Sequence, residues 1–171
     1  MKNNIFKIYG GIAVLQLSVN NGSVLAADTK AYPGSGCSLI TPFRNSDYTK
    51  GGGAFVNGDK KGYSIECPIV KDAENYSVIQ KAHVRVVNRH PRERISCRLV
   101  TRRTYLYPSQ GKSVSVSSKL ATTYPQLLEF YNPSATTGGK NNTVHSMQCY
   151  LPGTPDAHHK SSLAGYHITE N

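Results

Sequence analysis

Residues 82–87 read Ala82-His83-Val84-Arg85-Val86-Val87, and residues 94–99 read Arg94-Ile95-Ser96-Cys97-Arg98-Leu99. In each stretch small or apolar residues alternate with polar and charged ones. Side chains on a β-strand point to opposite faces in turn, so this period-two alternation marks a strand with one face in a core and one in water. Ala82, Val84 and Val86 form one inward row; Ile95, Cys97 and Leu99 form another. The turn-forming Asn88-Arg89-His90-Pro91-Arg92 lies between them, which predicts a hairpin with His83, Arg85, Arg94, Arg98 and Arg102 on one outward face.

The same alternation recurs along the chain. Tyr63, Ile65 and Cys67 share a face, as do Val114 and Val116 between serines 113, 115 and 117, Met147 with Cys149 and Leu151, and Ala164 with Tyr166 and Ile168. Further strands are expected near residues 37–40, 54–57 and 127–131. Gly51-Gly52-Gly53, residues 134–142 and residues 152–162 read as loops, and no helical period competes. About eight short strands at this spacing predict an all-β chain: a single antiparallel β-sandwich spanning residues 28–171.

The leading 27 residues read differently. Lys2 and Lys7 precede a short apolar centre around residues 12–17, and Val24-Leu25-Ala26-Ala27 supplies the small residues of a cleavage site. This is the three-part pattern of a signal peptide, and the apolar centre is too short and too interrupted to span a bilayer. A secreted or periplasmic protein is expected, with no transmembrane segment in the mature chain. Losing Lys2 and Lys7 takes the net charge from +10 to +8, and a basic domain of that size suits polyanions.

The four cysteines, Cys37, Cys67, Cys97 and Cys149, are an even set in a chain expected to be exported, so they predict two disulfides. A four-thiolate zinc site would need close Cys pairs, whereas the nearest two here are 30 residues apart. Three pairings are open. Cys37–Cys67 with Cys97–Cys149 is favoured, because the second pair can join two core strands.

Several short motifs follow one another: Phe55-Val56-Asn57-Gly58, Glu66-Cys67-Pro68-Ile69-Val70, Ser96-Cys97-Arg98-Leu99, Gln148-Cys149-Tyr150-Leu151-Pro152 and the terminal Tyr166-His167-Ile168-Thr169-Glu170. In this order they resemble the uncharacterised small exported bacterial four-cysteine proteins with Cys-Pro-hydrophobic, Cys-x-Leu and Cys-x-Leu-Pro strands and a closing Tyr-x-x-x-Glu. The resemblance implies a single β-sandwich with disulfides. That family has no known activity, so it supplies no catalytic residues.

The chemistry concentrates between Lys81 and Arg103, where eight basic residues stand against the single acid Glu93. Arginine predominates, and its planar fork suits phosphate, sulfate and carboxylate. Arg85, Arg94, Arg98 and Arg102 are the candidate anion-binding residues; Glu66, Glu129 and Asp72 are the counter-ions if the face is merely solvated. Nucleic acid is disfavoured, because no recognised module is present and aromatics are not interleaved with the arginines. His158 and His159 are weak metal candidates; His83, His90, His145 and His167 show no reason in sequence to converge. No nucleophile elbow, zinc-protease helix or phosphate-cradling loop is present, and no cofactor is expected. Tyr105, Tyr107, Tyr124 and Tyr131 follow the basic stretch and would pack at the rim of a sandwich or stack on sugar rings.

The favoured reading is a non-catalytic binding or envelope-associated protein whose basic face meets an anionic polysaccharide, a lipid headgroup or an acidic protein. The alternatives are a small secreted hydrolase or metal-binding enzyme whose site forms only in space, and a secreted effector or inhibitor of another protein.

Overall fold

The computed structural model describes residues 28–40, 47–70, 78–103, 112–133, 143–156 and 158–170. The expected signal segment lies outside these residues, as do Asp72, Tyr105 and Tyr107.

The described chain is built from eleven strands in chain order, with one short 3-10 turn at Gly34–Gly36. They are β1 (Asp28–Pro33), β2 (Ser38–Leu39), β3 (Tyr48–Gly51), β4 (Ala54–Asn57), β5 (Tyr63–Ile69) and β6 (Ile79–Val87), followed by β7 (Ser96–Arg103), β8 (Lys112–Ser117), β9 (Gln126–Glu129), β10 (Thr143–Leu151) and β11 (Ser161–Glu170). Every strand pairing is antiparallel. One sheet runs β3-β4-β11-β6-β9, with β1 also on β11; the other runs β2-β5-β10-β7-β8. β4 pairs with Ser161–Leu163 and β1 with Gly165–Glu170, so the two share one edge of β11 in succession. The expectation of about eight strands missed β1 and β3. β3 is exposed throughout and β1 nearly so, so neither carries an apolar row.

The inward rows of the two sheets meet in one core. Phe55, Ile79, Ala82, Val84, Val86, Leu163, Tyr166 and Ile168 come from the six-stranded sheet; Ile65, Cys67, Cys97, Leu99, Met147, Cys149 and Leu151 come from the five-stranded one. Each aliphatic side chain buried this way contributes about 1.5–3 kcal/mol by leaving water. The Tyr166 hydroxyl crosses between the sheets to donate to the Pro68 carbonyl. Both disulfides are the favoured ones: Cys37–Cys67 and Cys97–Cys149. Cys97 and Cys149 sit directly opposite one another on β7 and β10, so this bridge staples two neighbouring core strands.

The predicted hairpin is overturned. β6 lies in the six-stranded sheet and β7 in the five-stranded one, so residues 88–95 cross from one layer to the other. Buried Asn88 fixes the crossing: its amide nitrogen lies 3.0, 2.9 and 2.9 Å from Glu93 O, Ser118 Oγ and Lys119 O, and its carbonyl accepts from His90 N and Ser161 Oγ. Alternation specifies which residues face the core but not which strand lies alongside. Two basic strands paired as neighbours would also have set like charges opposite one another, which destabilises a sheet.

Candidate functional site

The crossover divides the predicted arginine face. Arg85 projects from β6 on the outside of the six-stranded sheet, while Arg98 and Arg102 project from β7 on the outside of the five-stranded sheet, with exposed Arg94 just ahead of that strand. Arg85 therefore shares no face with the other three.

On the five-stranded sheet, register places Ser38, Glu66, Gln148, Arg98 and Ser115 opposite one another, strand by strand, across all five strands. Each follows or precedes an inward core residue, so the pleat turns all five outward. Their side chains are linked. Arg98 Nε donates to Gln148 Oε1 at 2.8 Å, and Gln148 Nε2 donates to Glu66 Oε1 at 2.9 Å. Ser146 Oγ donates to the same carboxylate oxygen at 2.7 Å, and Arg102 Nη1 stands 4.0 Å from it. The amide and hydroxyl donors hold the Glu66 carboxyl below its ordinary range, against a desolvation cost and with help from Arg102 and Arg98. Arg102 thus pairs with the carboxylate while Arg98 reaches it only through Gln148, and two guanidiniums stand beside one carboxylate. Both guanidiniums keep donors beyond those used, because each carries five.

The next row runs Ser64, Tyr150, Ser96 and Ser117. Tyr150 OH donates to Glu93 Oε2 at 2.7 Å, and burial together with this carboxylate pushes the phenol up to about 12. Between the rows lies an open depression of about 240 Å3 lined by Ile40, Ser64, Ser96, Arg98, Gln148 and Tyr150, with Cys97 and Cys149 beneath. It offers one guanidinium, one amide, several hydroxyls, a phenol and an aliphatic rim. That set suits a hydroxyl-rich ligand carrying negative charge.

The remaining candidates are scattered. His159 Nδ1 lies 2.6 and 2.7 Å from the two Asp156 carboxylate oxygens, and Asp156 Oδ1 also accepts from the His158 and His159 amides. His159 and the two amides draw the Asp156 carboxyl down. His159 is thus turned toward its own loop, not toward a shared site with His158. Among the described residues no group of three or more His, Cys, Asp or Glu is arranged to hold a metal. Glu129 stands on β9 opposite His83 in the other sheet, away from the arginine row. Tyr124 and Tyr131 are 80% and 89% exposed.

Sequence reasoning named Arg98, Arg102 and Glu66 but missed Gln148, Ser146 and Ser115, whose positions across from them follow only from strand order. It also missed that β11 brings His167 directly opposite His83, with ring centres 6.1 Å apart.

No family model matches the chain, and no curated protein does either. Among solved structures, a low-affinity xylan-binding module from Roseburia intestinalis aligns at 12% identity over 84% of this chain and 96% of that one, with a TM-score of 0.47. A family 36 carbohydrate-binding module of a xylanase from the hindgut metagenome of Trinervitermes trinervoides aligns at 8% identity over 82% and 96%, with a TM-score of 0.41. A family two carbohydrate esterase from Cellvibrio japonicus aligns at 9% identity over 85% of this chain and 34% of that one, with a TM-score of 0.46. At such identities and scores the likeness concerns the course of the backbone alone, and any ligand has to be argued from this chain's own residues.

Proposed function

We propose that the outer face of the five-stranded sheet is a non-catalytic binding surface for an acidic polysaccharide, a hydroxyl-rich chain bearing carboxylate or sulfate groups. The observation that carries this reading is the registered row Ser38–Glu66–Gln148–Arg98–Ser115, in which Arg98 is tied to Gln148 and the single carboxylate, Glu66, stands near Arg102. The surplus guanidinium donors take the anion in a planar fork. Gln148, with the serines of the neighbouring strands, supplies amide and hydroxyl partners for sugar hydroxyls. The row sits on strands and is tied through side-chain hydrogen bonds, so little rotamer freedom is lost on binding.

The test compares heparin, polygalacturonate and uncharged dextran as ligands of the purified protein. The two acidic polymers should bind and dextran should not. Replacing Arg98 and Arg102 together by serine should weaken heparin binding at least tenfold while the protein still folds, the lost Arg98–Gln148 bond and Arg102–Glu66 pair costing about 1–2 kcal/mol together. Replacing Arg85 and Lys81 on the opposite sheet should have a smaller effect. Equal losses from both pairs would mean that net charge alone attracts the polymer, and the site would be withdrawn.

A further inference from the structure

The outer face of the six-stranded sheet carries a second constellation, which the polysaccharide reading does not use. Register sets Ala31, His167, His83 and Glu129 opposite one another on β1, β11, β6 and β9. The two imidazoles are half-buried neighbours with ring centres 6.1 Å apart and planes tilted by 50°. With metal–nitrogen bonds of about 2.0–2.1 Å, two imidazoles on one ion have ring centres about 5 to 6 Å apart, depending on the angle at the metal. The pair is within a small side-chain adjustment of that spacing.

We propose that His83 and His167 form a surface chelate for a divalent transition-metal ion, copper(II) before zinc(II), with water filling the remaining positions. Neutral imidazole suits these ions, and affinity for a given nitrogen site rises toward copper. Glu129 is the register partner of His83 on β9 but is not arranged with the pair as a third ligand, so among the described residues the two imidazoles are the protein's whole contribution. Lys81 and Arg85 flank His83 on the same outward face of β6. Their charges oppose a cation, which makes this an exchangeable site.

The test is calorimetric titration of the purified protein, without an affinity tag, with copper(II) and zinc(II) salts. One equivalent of copper(II) should bind, more tightly than zinc(II). His83→Asn and His167→Asn should each lower copper affinity at least tenfold with unchanged melting temperature. Lys81→Gln should raise it severalfold, a response that a merely structural pair would not give. The double variant His158→Asn/His159→Asn should leave the main site intact. Loss of binding in that loop variant, or retention of full affinity without His83, would overturn the proposal, as would failure of copper(II) to bind at micromolar concentration.

Discussion

Glu66 is the residue on which the arginine row depends, and it acts in two opposite ways. Its carboxylate aligns Gln148 and, through it, Arg98, yet it also occupies positive charge that a ligand would otherwise meet. Its folded-state value is lowered, so the stability it lends is fully present above the unfolded value near 4.5 and is lost as pH falls through the lowered one. A Glu66→Gln variant should therefore show a flatter loss of melting temperature between pH 5 and 3 than the parent, readable by calorimetry. The same variant should bind heparin about two- to fivefold more tightly at pH 7, because exposed ion pairs of this kind are worth about 0.2–1 kcal/mol. Weaker binding would mean that Glu66 itself receives ligand hydroxyls. Asn88 is a residue of another kind, buried and satisfied on both ends of its amide. Asn88→Ala should destabilise the fold by about 2–4 kcal/mol in chemical denaturation, since it strands several backbone and hydroxyl partners. Glu66 was legible as a counter-ion, and Arg102 bears that out, but its alignment of Gln148 was not, and Asn88 read only as a turn residue.

At the scale of elements, the strands were legible wherever an inward row was strong. The 63–67, 82–87 and 95–99 stretches, and Met147–Leu151 announced themselves by alternation, and their buried faces are the ones expected. β1 and β3 were not legible, because each is an edge or partial-edge strand whose pairing comes from backbone hydrogen bonds to β11 and β4, with no apolar row. The partnership of β6 was the substantive failure. Both a hairpin and an inter-sheet crossing place Val84 and Cys97 inward; what distinguishes them is strand pairing, β6 with β11 and β9 and β7 with β10 and β8, with Asn88 tying the crossing through Ser118 and Ser161. The disulfide pairing found is the one favoured among the three left open, but Cys67 lies on a core strand as well, so alternation alone did not choose it. Replacing Cys97 and Cys149 by alanine should cost about 2–4 kcal/mol against urea, the usual range for a native bridge.

For the whole molecule, the consequence of the crossing is that positive charge appears on both outer surfaces instead of one. Arg98 and Arg102 face one way; Lys81 and Arg85 face the other. Salt therefore becomes a way to tell site from background. Plotted as log affinity against log salt, heparin binding should fall with a slope that drops by about one for each arginine removed from the five-stranded face, by analogy with polyanion binding generally. Removing Arg85 should lower the slope less. The sequence set the sum of charge and its concentration between Lys81 and Arg103, while its division between two surfaces is a property of topology.

The Cys97–Cys149 bond lies beneath the depression that Arg98 and Gln148 border, each of these being the immediate chain neighbour of a bridged cysteine. The recognition proposed above would then depend on thiol chemistry. In a reducing milieu β7 and β10 lose their covalent staple beside Arg98 and Gln148 and keep only their backbone ladder, so the proposed surface is expected to bind best in the oxidised chain. Mild reduction should cost heparin affinity before it costs far-ultraviolet dichroism, a lag that a binding surface resting on charge alone would not show.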